Sequence, residues 1–558
     1  MTQPFPWTQS YAPGVPDDLS LGTDDTFLGA INDSLKAFSP RVAASALGSE
    51  WTYARIDKEA RAMAAGFQAL GLKPGARIAI KMPSLPQYFV AMLAIMRAGC
   101  VIVNVNPLYT ARELKAQLGD SGAEAIILLE QFAASLQEVI EETPVRHVIV
   151  TSIGDLYGRP KKLLVDTVLR KVKKMVPEWS LPQAHRYARF IKSHSASPLT
   201  IHSPAPDDIA ALQYTGGTTG VPKGAVLTQR NLLAAAKTAG AWLQPALDQA
   251  PRIDRPVFLI PLPLYHVFTL YVCSMGLFRG AQMELVPNPR DLDGLIAAMK
   301  RARFNLMIGL NTLYAGLLNH ENIQSVDFST ARVFVAGGTA TTRGTAESWK
   351  AKTGCDILEG WGMTETCGAG TCNPYPSPGF NNTIGLPMPG IEIEVRDDNS
   401  TVLPHTEAGE IWIKGPNVMQ GYWQKPDATA EVMDDRGFLA TGDIGKMDVT
   451  GYVTIVDRKK DMVLVSGFNV YPNEIEDVMS NMDGVAETAA IGIPDEKTGE
   501  AVKLFVVRAE GSTVTEDAVR AWCKDHLTNY KRPKQIAFLD ELPKSAVGKV
   551  LRKDLREF

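Results

Sequence analysis

The chain has 558 residues, enough for several domains or one very large one. Its 45% hydrophobic and 21% charged residues describe a globular protein with a sizeable core, and a net charge of −4 excludes the chain-wide basic excess of a nucleic-acid binder. Six Cys without a CxxC pair and eight scattered His offer no metal-ligand spacing and point to a reduced compartment.

The opening MTQPFPWTQSYAPGVPDD has neither a basic n-region nor an apolar h-region, so no signal peptide is expected and the chain reads as cytoplasmic. Ile56, Ala60, Met63, Phe67 and Leu70 share one helical stripe that Gly71 ends. A strand over Arg77–Ile80 follows, then a helix over Pro86–Arg97 and a strand over Val101–Val105. Arg97 and Gly99 interrupt the apolar run here, leaving pieces far short of the ~20 residues that span a membrane. A helix over Ala111–Leu118 and strands over Ala125–Leu129 and Val145–Val150 continue a βαβ rhythm, which predicts helices covering a mainly parallel sheet.

Between Gly158 and Ser203 that rhythm breaks. Arg159, Lys161, Lys162, Arg170, Lys171, Lys173 and Lys174 surround Leu163, Leu164, Val165, Val168, Leu169 and Val172. Two readings are open: a basic amphipathic helix lying on an anionic membrane surface, or a solvated helix packing its apolar stripe on the core.

Next comes YTGGTTGVPKG, Tyr214 to Gly224. Its glycines let backbone N–H groups approach a ligand, its threonines add hydroxyls, and Lys223 adds a mobile positive charge. That chemistry suits phosphate. Gly220 is followed by Val221-Pro222-Lys223-Gly224, so the GK[ST] of a P-loop NTPase is absent.

Beyond the loop the pattern predicts a helix over Gln229–Trp242 and a strand over Val257–Pro261. It continues with a strand at Leu285-Val286, a helix over Leu292–Arg301, and strands over Leu306–Gly309 and Arg332–Ala336. From Ile384 to Ile413 short β runs separated by Pro, Gly and Asp suggest a β-barrel-like subdomain, with a last strand over Gly451–Val456. Five consecutive charges, Asp457 to Asp461, read as an exposed linker. Past it stands a small α+β unit. It has a helix opening at Pro472, strands over Glu487–Ile493, Ala501–Arg508 and Gln535–Leu539, and a helix with capping-box spacing at Thr513 and Glu516.

Six further motifs accompany the glycine loop: PLPLYHVF (261–268), VAGGTAT (335–341), GWGMTET (360–366), TGD (441–443), DRKKDMVLVSGFNVYPNEIE (457–476) and PKSAVGKVLR (543–552). In this order, from about Trp51 to the C-terminus, they resemble the adenylate-forming superfamily, which includes acyl-CoA synthetases, luciferase and the adenylation domains of peptide synthetases. The wording most resembles bacterial long-chain fatty acid–CoA ligases.

The resemblance implies an α/β fold: a large N-terminal adenylation domain over 1–456 with helix-flanked sheets and a β-barrel-like subdomain, a hinge at 457–461, and a mobile α+β C-terminal domain over 462–558. It implies ATP-dependent ligation of a fatty acid to CoA through an acyl adenylate, with ATP and CoA as co-substrates and Mg²⁺ as counter-ion. Thr215, Gly216, Gly217, Thr218, Thr219, Gly220 and Lys223 would hold the phosphates, with Lys223 a positioning residue. Glu365 would bind Mg²⁺, with Thr364 beside the phosphates. Gly337 and Gly338 would lie flat against the adenine, Trp361 would offer an aromatic face near it, and Gly360 and Gly362 would bind the same nucleotide. Many relatives carry Tyr at position 361, which implies no change of chemistry there. Asp443 would accept both ribose hydroxyls, with Arg458 reaching ribose or phosphate.

His266 matches the residue beside the acyl carboxylate; taken alone it reads equally as a packed core histidine. Lys549 matches the lysine that bridges carboxylate and α-phosphate, Lys460 the hinge, and Ser466, Gly467 and Phe468 the face toward CoA. Another acid, aryl or medium-chain, and another acceptor stay open, as does a non-catalytic membrane-associated scaffold built on 159–174. The expected partners are the fatty acid, ATP, CoA and an anionic membrane surface on the inner face, with no nucleic acid.

Overall fold

The computed structural model describes residues 5–215, 222–466, 468–495, 497–545 and 550–558. Among them, two large sheets share the first four-fifths of the chain. One runs in the order Gly421–Tyr422, Gly224–Thr228, Ile209–Tyr214, Val101–Asn104, Arg77–Lys81, Ala125–Leu129, His147–Thr151, Ala184–Arg186. The other centres on the parallel strands Ile357–Trp361, Val333–Ala336, Leu306–Gly309, Val257–Ile260, Gln282–Leu285 and Val42–Ala46. Their apolar residues run nearly unbroken, as expected of parallel strands covered on both faces.

Helix Pro86–Arg97 is buried along its whole length and touches strands of both sheets. Its one charge, Arg97, is satisfied inside: Nη2 donates to Asn32 Oδ1 at 2.8 Å and Nη1 to the Asp57 carbonyl at 3.2 Å. An Arg so paired explains how an apolar run can carry a cation without facing water. Helix Gln229–Leu247 packs on Val267–Phe278 in the same layer. It runs five residues past its expected end at Trp242, with Pro245 in its last turn, where only one ladder bond is lost. Among the described residues no helix is long and apolar enough to cross a membrane.

The β-rich stretch forms a four-stranded antiparallel sheet, Glu392–Arg396, Gly409–Lys414, Leu439–Met447 and Val453–Arg458. The last strand carries the chain into the charged run, so Asp457 is fully buried rather than exposed. Its carboxylate accepts the N–H groups of Arg458 at 2.7 Å and Asn473 at 2.8 Å, which compensates the burial. Beyond it, Phe468–Val470, Val463–Val465, Gly499–Arg508 and Val485–Asp495 pair antiparallel, with Gln535–Leu539 added in parallel. Helices Pro472–Ser480 and Glu516–His526 pack on this sheet around Ile475, Met479, Val519 and Cys523. The second helix is capped by Thr515, whose hydroxyl accepts the Ala518 N–H, and not by the expected Thr513–Glu516 box.

The 159–174 segment is a short α-helix, Lys161–Thr167, continued by a π-helical stretch, Val168–Val172. Lys162 pairs with Asp155 and Asp166, and Arg170 with the buried Glu130. Leu163, Leu164, Val172 and Met175 stay 55%, 66%, 72% and 51% exposed.

Candidate active site

The parallel strands of the second sheet end at one cleft, the place where open α/β sheets bind ligands. Its volume is about 1380 Å³. Val333–Ala336 delivers Gly337 and Gly338 to it, and the adjacent Ile357–Trp361 delivers Gly360, Trp361 and Gly362. A Cβ on Gly362 would lie 2.3 Å from the Gly368 carbonyl oxygen, so only glycine permits that turn. Thr364 and Glu365 follow in a single 3₁₀ turn and line the same cleft.

The glycine loop enters from the first sheet. Thr215 donates its N–H to the Lys223 carbonyl at 3.0 Å, closing the base of the hairpin between Ile209–Tyr214 and Gly224–Thr228. Gly216, Gly217, Thr218, Thr219 and Gly220 lie outside the described residues. The Lys223 ammonium sits 4.9 Å from the centre of the Tyr422 ring, and Tyr422 OH donates to Glu365 Oε1 at 2.8 Å. Tyr422 reaches there because its strand, Gly421–Tyr422, pairs with Gly224–Thr228. It thus joins the loop to the GWGMTET turn. Burial raises the Glu365 carboxyl, while the Tyr422 hydrogen bond and the Arg458 charge oppose that rise.

On the β subdomain, Asp443 and Arg458 are cross-strand partners. Arg458 Nε lies 3.2 Å from Asp443 Oδ1, and Trp361 Nε1 donates to Asp443 Oδ2 at 2.8 Å. Position 361 therefore does more than present a ring, because its indole N–H orients the carboxylate. Lys460 also lines the cleft, its ammonium lowered by desolvation and by the Arg458 charge.

His266 caps helix Val267–Phe278, its Nδ1 accepting the Phe268 N–H at 3.4 Å, and lines the cleft. Trp242, Leu243, Val272, Leu306 and Ile308 make the wall apolar on this side. Glu359 stands among them, accepting the Thr341 N–H at 3.3 Å, and burial pushes its carboxyl up to about 8.

The cleft does not take in Ser466 or Phe468. Ser466 has a left-handed backbone, and Phe468 stacks on Tyr530 with ring centres 4.8 Å apart. Gly467 and Lys549 lie outside the described residues. Val550 and Arg552, just past Lys549, do line the cleft, and Arg552 is held by Asn473 at 2.7 Å and Glu476 at 2.8 Å. Sequence reading missed Tyr422, Glu359 and Trp242. The first lies in GYWQKPDAT and the second directly precedes GWGMTET, so proximity to a motif was the available signal for Glu359 alone.

The AMP-binding enzyme family matches residues 32–423, and the AMP-binding enzyme C-terminal domain matches 474–549. A long-chain-fatty-acid–CoA ligase of Salmonella typhimurium is 44% identical over 553 residues, 99% of this chain and 98% of the relative. A ligase of the same name from Bacillus subtilis is 34% identical over 556 residues, 99% of this chain and 98% of the relative. The crystal structure of ATP-bound MatB from Rhodopseudomonas palustris superposes with a TM-score of 0.83 at 31% identity, covering 96% of this chain and 98% of that one. With these motifs meeting at one cleft and relatives matched from end to end, the chain belongs to the AMP-binding enzyme family, whose members form adenylates.

Proposed function

We propose that this protein is an AMP-forming ligase that joins a long-chain fatty acid to coenzyme A. The observation that carries the reading is a single cleft with two chemistries: Lys223, Tyr422, Glu365, Asp443 and Arg458 on one side, and the apolar wall of Trp242, Leu243, Val272, Leu306 and Ile308 on the other. Polar groups on one side suit a nucleotide and its phosphates, and the apolar wall suits an acyl chain. The names of the 44% and 34% identical relatives support the same substrate class.

In the first step a carboxylate oxygen of the fatty acid attacks the α-phosphorus of ATP. The bond to the bridging oxygen breaks and pyrophosphate leaves. Thr215 and Lys223, with Gly216, Gly217, Thr218, Thr219 and Gly220, hold the departing phosphates. Asp443, already oriented by Trp361 and Arg458, accepts the ribose hydroxyls. Gly337, Gly338, Gly360 and Gly362 shape the adenine slot. His266 stands beside the acyl carboxylate, and Lys549 draws carboxylate and phosphate together, stabilising charge that develops in the transition state.

Glu365 would hold Mg²⁺, with Thr364 beside the phosphates, and a single buried carboxylate suits an ion that takes its other ligands from phosphates and water. Bound there, the ion would supply counter-charge to the phosphates. In the second step the CoA sulfur attacks the acyl carbon, the thiol gives up its proton and AMP leaves. Rotation of 462–558 about Lys460, relative to 1–456, would bring Ser466, Gly467 and Phe468 to the thiol.

Pyrophosphate exchange tests the assignment. Lys549→Ala should lower it by roughly 10²–10³, while thioester formation from a preformed acyl adenylate is less affected; exchange at the wild-type rate removes Lys549 from the mechanism. AMP release from acetate, benzoate, octanoate and stearate, with and without CoA, separates a long-chain ligase from one for another acid or acceptor. Absence of ATP binding would favour a non-catalytic scaffold.

A second reading concerns location: a cytoplasmic protein resting peripherally on an anionic membrane surface. Its support is the division of labour in 159–174. Lys162 and Arg170 pair internally, whereas Lys171, Lys173 and Lys174 are exposed without ion-pair partners among the described residues, next to the exposed Leu163, Leu164 and Val172.

A further inference from the structure

Residues 5–26 precede the family match, which begins at 32, and carry none of the motifs. They nevertheless form a strap from the Thr450–Gly451 turn to helix Gln229–Leu247, whose Trp242 and Leu243 line the cleft. At one end the 3₁₀ turn Pro6–Ser10 buries Trp7 against Gly451, whose φ is +93° and where a Cβ would come within 2.2 Å of the Trp7 Cβ. Ser10 Oγ donates to the Thr450 carbonyl at 2.9 Å. At the other end Arg230 donates to the Thr23 carbonyl at 3.3 Å and Lys237 pairs with Asp25 at 2.8 Å, both from helix Gln229–Leu247.

Tyr11 lies between these anchors. Its ring meets Trp242 edge-on, with centres 5.1 Å apart and planes at 86°, and its hydroxyl donates to the Pro387 carbonyl at 2.6 Å. Trp242 and Met388, the residue after Pro387, both line the cleft. Trp242 is also fixed along its N–H edge, which donates to the Asn373 carbonyl at 3.1 Å. A bulky indole at an apolar wall decides how much room an acyl chain has, and here its position depends on a ring from outside the family domain.

We infer that Tyr11 is a specificity-determining positioning residue: through Trp242 and the Pro387–Met388 segment it sets the depth of the apolar part of the cleft, and so the acyl chain length accepted. This rests on the acyl–CoA ligase reading above. Removing the Tyr11 ring leaves space for Trp242 to recede, which deepens the cleft and favours longer chains.

The test compares kcat/KM for octanoate and stearate, with ATP and CoA saturating. Tyr11→Ala should raise the stearate-to-octanoate ratio about tenfold, the low end of what one methylene gaining or losing a pocket is worth, without changing KM for ATP. Tyr11→Phe keeps the ring against Trp242 and loses only the Pro387 hydrogen bond, so it should shift the ratio in the same direction but less than Tyr11→Ala. Trp242→Phe shortens the wall directly and should shift the ratio in the same direction, which keeps the question answerable if Tyr11→Ala fails to fold. An unchanged ratio, or an equal loss for both acids, overturns the assignment. Wild-type protein that turns over no fatty acid overturns the ligase reading itself, which is a separate result.

Discussion

Trp361 donates its indole N–H to Asp443 Oδ2 at 2.8 Å, leaving Oδ1 to Arg458 at 3.2 Å. The carboxylate assigned to the ribose is therefore held in place before any nucleotide arrives. Trp361→Phe keeps an aromatic face and deletes the donor. A hydrogen bond to a charged group contributes about 1.5–3 kcal/mol, so ATP should bind roughly tenfold or more weakly. Isothermal titration with ATP checks it, and unchanged affinity would detach Trp361 from nucleotide binding.

Tyr422→Phe removes the hydroxyl that donates to Glu365 Oε1 and leaves the ring beneath Lys223. That hydrogen bond lowers the Glu365 carboxyl against the effect of burial, so its loss raises the carboxyl further. Glu365 must be ionised to serve as a cation ligand. The acid limb of the pyrophosphate-exchange profile should therefore move to higher pH in the variant; a limb that stays in place separates Tyr422 from the function of Glu365.

Glu359 gives a stability prediction. Its carboxyl rises from an ordinary 4.5 to about 8 in the folded protein, with burial as the main cause. The folded state thus binds that proton more tightly than the unfolded chain does. Below pH 4.5 the group costs nothing. Between 4.5 and about 8 the unfolded chain ionises while the folded one resists, so stability falls with rising pH, and above about 8 the full cost is present. Glu359→Gln lacks this term, so its Tm advantage over wild type should grow across that window and then level off. A Tm difference independent of pH would mean that Glu359 titrates normally.

Neutralising Lys171, Lys173 and Lys174 together tests the membrane reading. Each lysine near an anionic surface contributes about 1 kcal/mol, so the triple variant should bind phosphatidylglycerol vesicles roughly a hundredfold more weakly, with ligase activity in detergent-free buffer unchanged. Equal binding of variant and wild type would leave 159–174 as a solvated surface segment.

Local signals made much of this legible. Proline at the first helical position marked Pro86 and Pro472, and apolar runs marked Leu306–Gly309 and, after Gln535, the strand to Leu539. The phosphate loop, the GWGMTET turn and TGD could be read because each packs its chemistry into consecutive residues. What could not be read depends on pairing across the chain. Tyr422 meets Glu365 from 57 residues away, and Tyr11 meets Pro387 from 376. Asp457 looked exposed because its neighbours in sequence are charged, whereas its burial is decided by the N–H of Asn473, across the boundary.

Helix Pro86–Arg97, wedged between both large sheets, has a consequence for how the protein comes apart. The apolar cluster around it runs from Trp7 to Val453 and includes residues of both sheets and of the antiparallel sheet, while the clusters beyond Val463 contain no residue from that set. Most of the chain before Asp457 shares that interior, with two smaller clusters, around Ile126 and Val148 and around Phe304 and Trp349, packed beside it, whereas the last hundred residues have an interior of their own. Differential scanning calorimetry should accordingly resolve two cooperative units of unequal enthalpy, the larger taking in the chain up to Val456. Three or more transitions would mean that the two sheets unfold as independent bodies.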